Sequence, residues 1–326
     1  VTYSTAEPVT VNGGTLTNSS TTTDSSFAGT ISLGADSFVS VTTAARSLTL
    51  SNSISGGQSV TKSGAGTLVL SGSNSFSGAL NVNVGGVTLV NGSAINNNST
   101  VTLADVAGVV LTLQSSETIG ALEGGGTTGG NVSLGANTLT TGSLPSSSFG
   151  GVISGTGGLT LNASMGFEFT LTGSNTYTGQ TTVTSGFLSL NAGGTALSDS
   201  TPVVVNGANG ILFLYQSETV GSLAGTAGEV GGSSGVALTA GGLNTDTTYS
   251  GLFYRQIIKV GSGKLTFNSA ANAGASAIIN AGTLALTGGD AMGDNDSVVI
   301  NGSGNLQLLA NETIGWVSSG SASATV

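Results

Sequence analysis

The feature that most restricts what this chain can fold into is an internal repeat. Gly66 to Gly78 read GTLVLSGSNSFSG. The text returns as FTLTGSNTYTG, with Gly173, Asn175, Tyr177 and Gly179 each 101 positions after Gly72, Asn74, Phe76 and Gly78. A worn third copy, KLTFNSAANAGA, starts at Lys264. Each copy closes on a Glu motif, Ser116-Glu117-Thr118-Ile119-Gly120, Ser217-Glu218-Thr219-Val220-Gly221 or Asn311-Glu312-Thr313-Ile314-Gly315, with Glu-to-Glu spacings of 101 and 94. Such self-similarity marks a repeat array. We divide it into an N-terminal segment or cap (1–30), three repeats (31–130, 131–232 and 233–320) and a tail (321–326), expected to form one continuous domain.

Within each repeat, short segments alternate apolar and small polar residues, as at Leu68-Leu70, Val87-Leu89 and Leu111-Leu113, and clusters of Gly, Asn and Ser separate them. A period of two describes a strand with one buried face, and no stretch carries the 3.6-residue period and caps of a helix. The fold class is all-β. A sandwich would not repeat at this period, and a propeller would carry more aromatic residues. A β-solenoid fits, with coils of roughly 20–25 residues, each stacked ~4.8 Å above the last and paired in parallel. At that size the chain makes about 15 coils, a rod on the order of 70 Å. Gly supplies corners at positive φ, and Asn can ladder its amide up the stack.

Composition narrows the function. Fifteen acidic residues against five basic ones give a net charge of −10, which argues against nucleic acid and against an anionic membrane surface. The chain has no His and no Cys, so it lacks the usual general base, the thiol nucleophile, the common zinc sites and disulfides. We expect no enzyme activity and no cofactor. The absence of Cys suits a chain exported unfolded and folded outside the cell. A disordered chain is excluded by the alternation together with 38% hydrophobic residues and a mean hydropathy of +0.31, because such a chain can bury enough apolar surface to fold. No apolar run approaches the ~20 residues of a spanning helix. No Lys- or Arg-led signal stands at Val1, so the chain is expected to be mature or to have lost its leader.

The stretches GTLVLSGSNSFSG, TLTGSNTYTGQTTVTSGFLSL, SETVGSLAG and FGGVISGTGGLTL resemble the passenger-associated β-strand repeats of bacterial autotransporters, over nearly the whole chain from about Ile31. The resemblance implies a right-handed parallel β-helix, export across a Gram-negative outer membrane, and a place outside the cell or on its outer surface. It implies an adhesin, aggregation factor or scaffold, and it supplies no catalytic residue. Five Tyr and one Trp do not furnish the aromatic girdles of a translocator barrel. The barrel is therefore expected to have been cut away, or the chain to use another export route.

Several positions are candidate sites. The recurring Glu117, Glu218 and Glu312 are expected at coil corners, accepting bonds from turn N–H groups. Asp290, Asp294 and Asp296 form the densest acidic cluster, read as a plain turn with calcium as the weaker alternative. Phe253, Tyr254 and Arg255, with Lys259 and Lys264, are where the third copy departs most from the others. They form either a contact site for a partner or a repacked corner whose lysines snorkel to solvent. Trp316 either caps the core or rests in a neighbouring molecule. The expected partner is the protein itself, side by side or end to end, or else cell-surface or matrix glycans. We read the chain as a structural, adhesive surface protein. A self-assembling filament subunit and a carbohydrate-binding or polysaccharide-cleaving β-helix are the alternatives.

Overall fold

The computed structural model of the protein describes residues 2–3, 6–269 and 276–320. Among the described residues every helix or strand is a β-strand. The alternation explains why. The strand Thr67–Leu70 buries its second and fourth residues and leaves the first and third half-exposed. Its inner face therefore packs into the coil, while its backbone groups pair with the coils below and above. Leu68 faces Leu48 below and Val87 above, at offsets of 20 and 19 residues. The column continues through Leu111, Val132 and Ile153 at offsets of 24, 21 and 21 residues. The fold is thus a parallel β-solenoid, as its sequence pattern requires.

The chain divides into two compact units, residues 1–160 with 175–177 and residues 161–174 with 178–326. The first unit carries an eight-stranded parallel sheet in the order Thr2–Tyr3, Ser25–Phe27, Ser47–Leu50, Thr67–Leu70, Gly86–Leu89, Val110–Leu113, Asn131–Ser133 and Ile153–Ser154. A second series stacks Thr15–Asn18, Ser37–Val41, Val60–Ser63, Leu80–Val82, Thr100–Leu103 and Ala121–Gly124. A third joins Val9–Asn12, Ile31–Ala35 and Ile54–Ser55. The core consists of columns such as Leu50, Leu70, Leu89 and Leu113, all buried.

In the second unit, Glu168–Leu171, Thr181–Leu190, Pro202–Leu214, Glu229–Gly232 and Leu252–Phe253 stack in parallel. So do Ala237–Ala240, Gln256–Lys259, Ala277–Leu286, Ser297–Leu308 and Trp316–Ser319. The longest strands round a coil corner within one element. Val183 faces Val205 but Ser185 faces Asn209, a bulge that re-aims the strand. Phe169, Leu188, Leu212, Val230 and Phe253 form a buried column. The rings of Tyr249, Phe253 and Phe267 meet with centroids 5.3–6.5 Å apart. The tail expected at 321–326 and the end of the worn third copy, 270–275, lie outside the described residues.

Stacking at backbone-pairing distance leaves no room at some corners. A Cβ at Gly72 would fall on the carbonyl of Asn52 in the coil below, whereas a Cβ at Gly108 would meet nothing within 4 Å. Gly108 instead needs its φ of +84°. The two glycines therefore serve different physical needs. Gly72→Ala should destabilise by about 2–3 kcal/mol through the clash. Gly108→Ala should cost only about 1 kcal/mol of backbone strain. Denaturant midpoints of the two variants check this ordering.

Candidate functional site

The side chains with chemical potential lie mainly at the coil corners. The carboxylate of Glu117 accepts the backbone N–H groups of Ala94 (3.2 Å) and Ile95 (3.0 Å), one coil earlier. Glu218 accepts those of Ala196 (3.3 Å) and Leu197 (3.1 Å), and Glu312 those of Ala291 (3.1 Å) and Met292 (2.8 Å). Each acid thus holds the turn of the coil below it, as the sequence led us to expect. The turn always offers a buried Ala followed by Ile, Leu or Met. Asn74 extends the arrangement downward. Its Oδ1 accepts the Ile54 N–H at 2.7 Å and its Nδ2 donates to the Ala94 carbonyl at 2.8 Å. Ile54, Asn74, Ala94 and Glu117 therefore form a hydrogen-bonded line up one corner of the first unit.

Burial raises the carboxyl pKa of Glu117, and the N–H bonds from Ile95 and Ala94 pull it partly back. Burial raises that of Glu218 to about 7, against the bonds from Leu197 and Ala196 and with a small push from the Asp199 carboxylate.

Two lysines sit in the same kind of slot. Lys62 and Lys259 are 0% and 1% exposed. The Lys62 ammonium donates to the carbonyls of Ser63 (2.8 Å), Gly64 (2.7 Å) and Val84 (3.0 Å). Lys259 donates to Val260 (2.6 Å), Gly261 (2.9 Å) and Ala281 (3.3 Å). The acceptors are in each case the next two residues and one residue 22 positions on. Burial lowers the pKa of Lys62 to about 8. It also lowers that of Lys259, with the Asp246 carboxylate acting in the opposite direction. The shared spacing Lys-x-Gly-x-Gly-x-Leu, at Lys62–Leu68 and Lys259–Leu265, is the signal that could have identified this pair.

The cluster singled out around Phe253 separates into two halves. Phe253 is 0% exposed, within the inner aromatic group, and Lys259 points into the core. Neither is an interface residue, because the strand alternation turns both inward, and Lys259 does not snorkel to solvent. Tyr254, Arg255 and Gln256 are half-buried at the surface. Arg255 donates through Nε (2.7 Å) and Nη2 to the Gly232 carbonyl, and through Nη1 (2.7 Å) to that of Tyr254. Trp316 is 56% exposed on its strand and does not plug the core.

Asp290, Asp294 and Asp296 lie in and beside one turn. Asp290 and Asp294 are exposed, and Asp296 closes its own turn by accepting the Gly293 N–H at 2.8 Å. Among the described residues no three acidic side chains gather where they could hold a metal ion.

With this geometry in view, a model of the passenger-associated-transport-repeat matches the chain at residues 60–90, 168–190 and 257–286. The three matched segments fall at corresponding places in the three copies, and the β-solenoid is consistent with an autotransporter passenger domain. The first and third matches begin just before the buried lysines. The second begins after Leu161, the apolar residue that occupies the lysine position in that copy. No curated protein and no solved structure matches the chain.

The raised pKa of Glu218 carries a definite sign. The folded state holds the proton more tightly than the unfolded chain, so this residue's contribution is fully present below pH 4.5 and is lost as pH rises through about 7. The loss amounts to at most about 3 kcal/mol. A carbon-13 NMR titration should find the Glu218 carboxyl changing state near 7. Glu218→Gln should flatten the decline in stability across that window, and a carboxyl titrating near 4.5 would refute the assignment.

Proposed function

We propose that this chain is a non-catalytic, structural and adhesive β-solenoid held outside a Gram-negative cell, working by surface display, adhesion and self-association. Support for the location comes from the repeat it carries, whose family implies secretion to the cell surface. The observation that carries the adhesive reading is the outward face of the eight-stranded sheet. Ser26, Thr49, Val69, Thr88, Thr112, Ser133 and Ser154 follow one another up the coils, each in register with the next. No charged residue lies on any strand of that sheet between Ser25 and Ser154, although the chain carries a net charge of −10.

The physical consequence is a flat strip of hydroxyl and methyl groups at ~4.8 Å spacing that two copies can bring together without burying a charge. The strip is roughly 300 Å², well below the ~800 Å² per partner of a stable interface. A single contact is therefore weak, and many copies on one surface gain strength by avidity. Self-association through this strip aggregates particles rather than forming soluble dimers, and salt weakens it little.

Beads coated with the protein should aggregate in a salt-tolerant way. Thr88→Lys with Thr112→Lys should abolish the aggregation without unfolding the protein, since both side chains point outward. Thr61→Lys with Thr102→Lys adds the same charge on another sheet and should leave aggregation intact. If both pairs acted alike, net charge rather than this strip would be responsible.

A further inference from the structure

The surface half of the Phe253 region borders an open recess. Ser234, Val236, Tyr254, Arg255, Gln256 and Ser276 line an open recess of about 320 Å³. That is the low end for small-molecule sites and suits one or two sugar rings. We propose that this recess binds a sugar bearing a carboxylate, a uronic acid, with Arg255 holding the carboxylate and the Tyr254 ring lying against the sugar's apolar face.

The recess arises where the third copy differs from the second. Ile153 and Phe253 hold equivalent places, pairing with Val132 and Val230. The next core residues are Leu159 and Ile257, six positions on in the second copy but four in the third. In the second copy, the turn between them fills the corner and gives the Thr156 and Gly157 N–H groups to the Gly135 carbonyl at 2.7 and 2.8 Å. The third copy lacks two residues of that turn. There the Arg255 side chain takes over a corner carbonyl, that of Gly232, and the space left by the shortened turn opens to solvent.

The chemistry of the lining selects the ligand. A guanidinium has five N–H donors in a fixed fork. Three bonds of Arg255 go to the Gly232 and Tyr254 carbonyls, which lock the group in place, and Arg255 forms no ion pair among the described residues. This is a held, un-neutralised cation in a strongly acidic chain. A carboxylate matches the guanidinium fork, with which it can form two parallel charge-assisted hydrogen bonds. Gln256, whose Nε2 donates to the Ser276 Oγ at 3.3 Å, and Ser234 supply the short-range donors and acceptors that sugar hydroxyls need. The proposal goes beyond self-association and uses different residues, so the two can fail separately.

The test is a nitrogen-15 NMR titration of the intact chain with glucuronic acid, and in parallel with glucose and with acetate. Glucuronic acid should perturb residues around 234–236 and 254–256 and saturate in the low-millimolar range, about 1–10 mM. Glucose and acetate should each act at least roughly tenfold more weakly. Tyr254→Ala, which keeps every backbone carbonyl that Arg255 uses, should weaken the response by about tenfold, and Arg255→Gln should remove it. If Arg255→Gln does not fold, Tyr254→Ala decides. Equal responses to glucose and glucuronic acid would overturn the role of the carboxylate. Equal responses to acetate and glucuronic acid would overturn the role of the sugar ring. No perturbation at tens of millimolar, or a response unchanged by Tyr254→Ala, would overturn the site.

Discussion

The backbone pairing of each coil with the next is the constraint from which the rest follows. A parallel ladder in register at offsets of about twenty residues fixes the vertical spacing of every side chain at ~4.8 Å. An inward residue then has the equivalent residue of the coil below and of the coil above as neighbours, and apolar positions become columns such as Leu48, Leu68, Val87 and Leu111. The same spacing forbids bulk wherever corners nest, hence Gly72 over Asn52. It also leaves corner N–H and C=O groups that do not belong to a strand, and buried backbone groups of that kind need partners.

Those corner groups account for the unusual inward polar residues. Glu117 and Glu218 collect pairs of turn N–H groups, and Lys62 and Lys259 collect carbonyls. Each brings an ionisable group into a column of apolar residues, at a desolvation cost that its hydrogen bonds offset only in part. The shifts run in opposite directions, up for Glu218 and down for Lys62, because burial disfavours the charged form of either group. For Lys62 the folded state binds its proton less tightly than the unfolded chain does. Its contribution is therefore present above pH 10.5 and lost as pH falls through about 8, the reverse of the Glu218 case. Near neutrality both residues act as hydrogen-bonding fasteners held against their electrostatic preference.

Much of this was legible in the sequence because the solenoid reads a period-two pattern directly into burial. The repeat, the parallel stacking and the corner Glu residues all follow from local text. Lys259 and Phe253 were misplaced for one reason. A cation next to aromatic residues reads as surface, and only the strand phase, set by Ile257 pairing with Leu238, turns Lys259 inward. The two-residue shortening between Phe253 and Ile257 hides that phase from alignment with the second copy. The acidic run at Asp290–Asp296 reads as a plain turn from its Gly, Asn and Asp content, and within it Asp296 accepts the Gly293 N–H.

The same shortening shows where a repeat protein of this kind can acquire specificity. Residues inside a column are constrained from above and below, and the outward strip on the eight-stranded sheet keeps its uncharged character over successive coils. Corners are different, because a residue removed from a turn changes the local path without breaking the ladder on either side. Gly232 and Phe253 remain in their columns while the surface between them changes from a filled turn to a recess lined by Arg255. The rigid stack therefore separates two tasks. Its faces provide extended, weak and repetitive contact, and an altered corner can provide a single defined one, with the stability of the coils above and below holding that corner in shape.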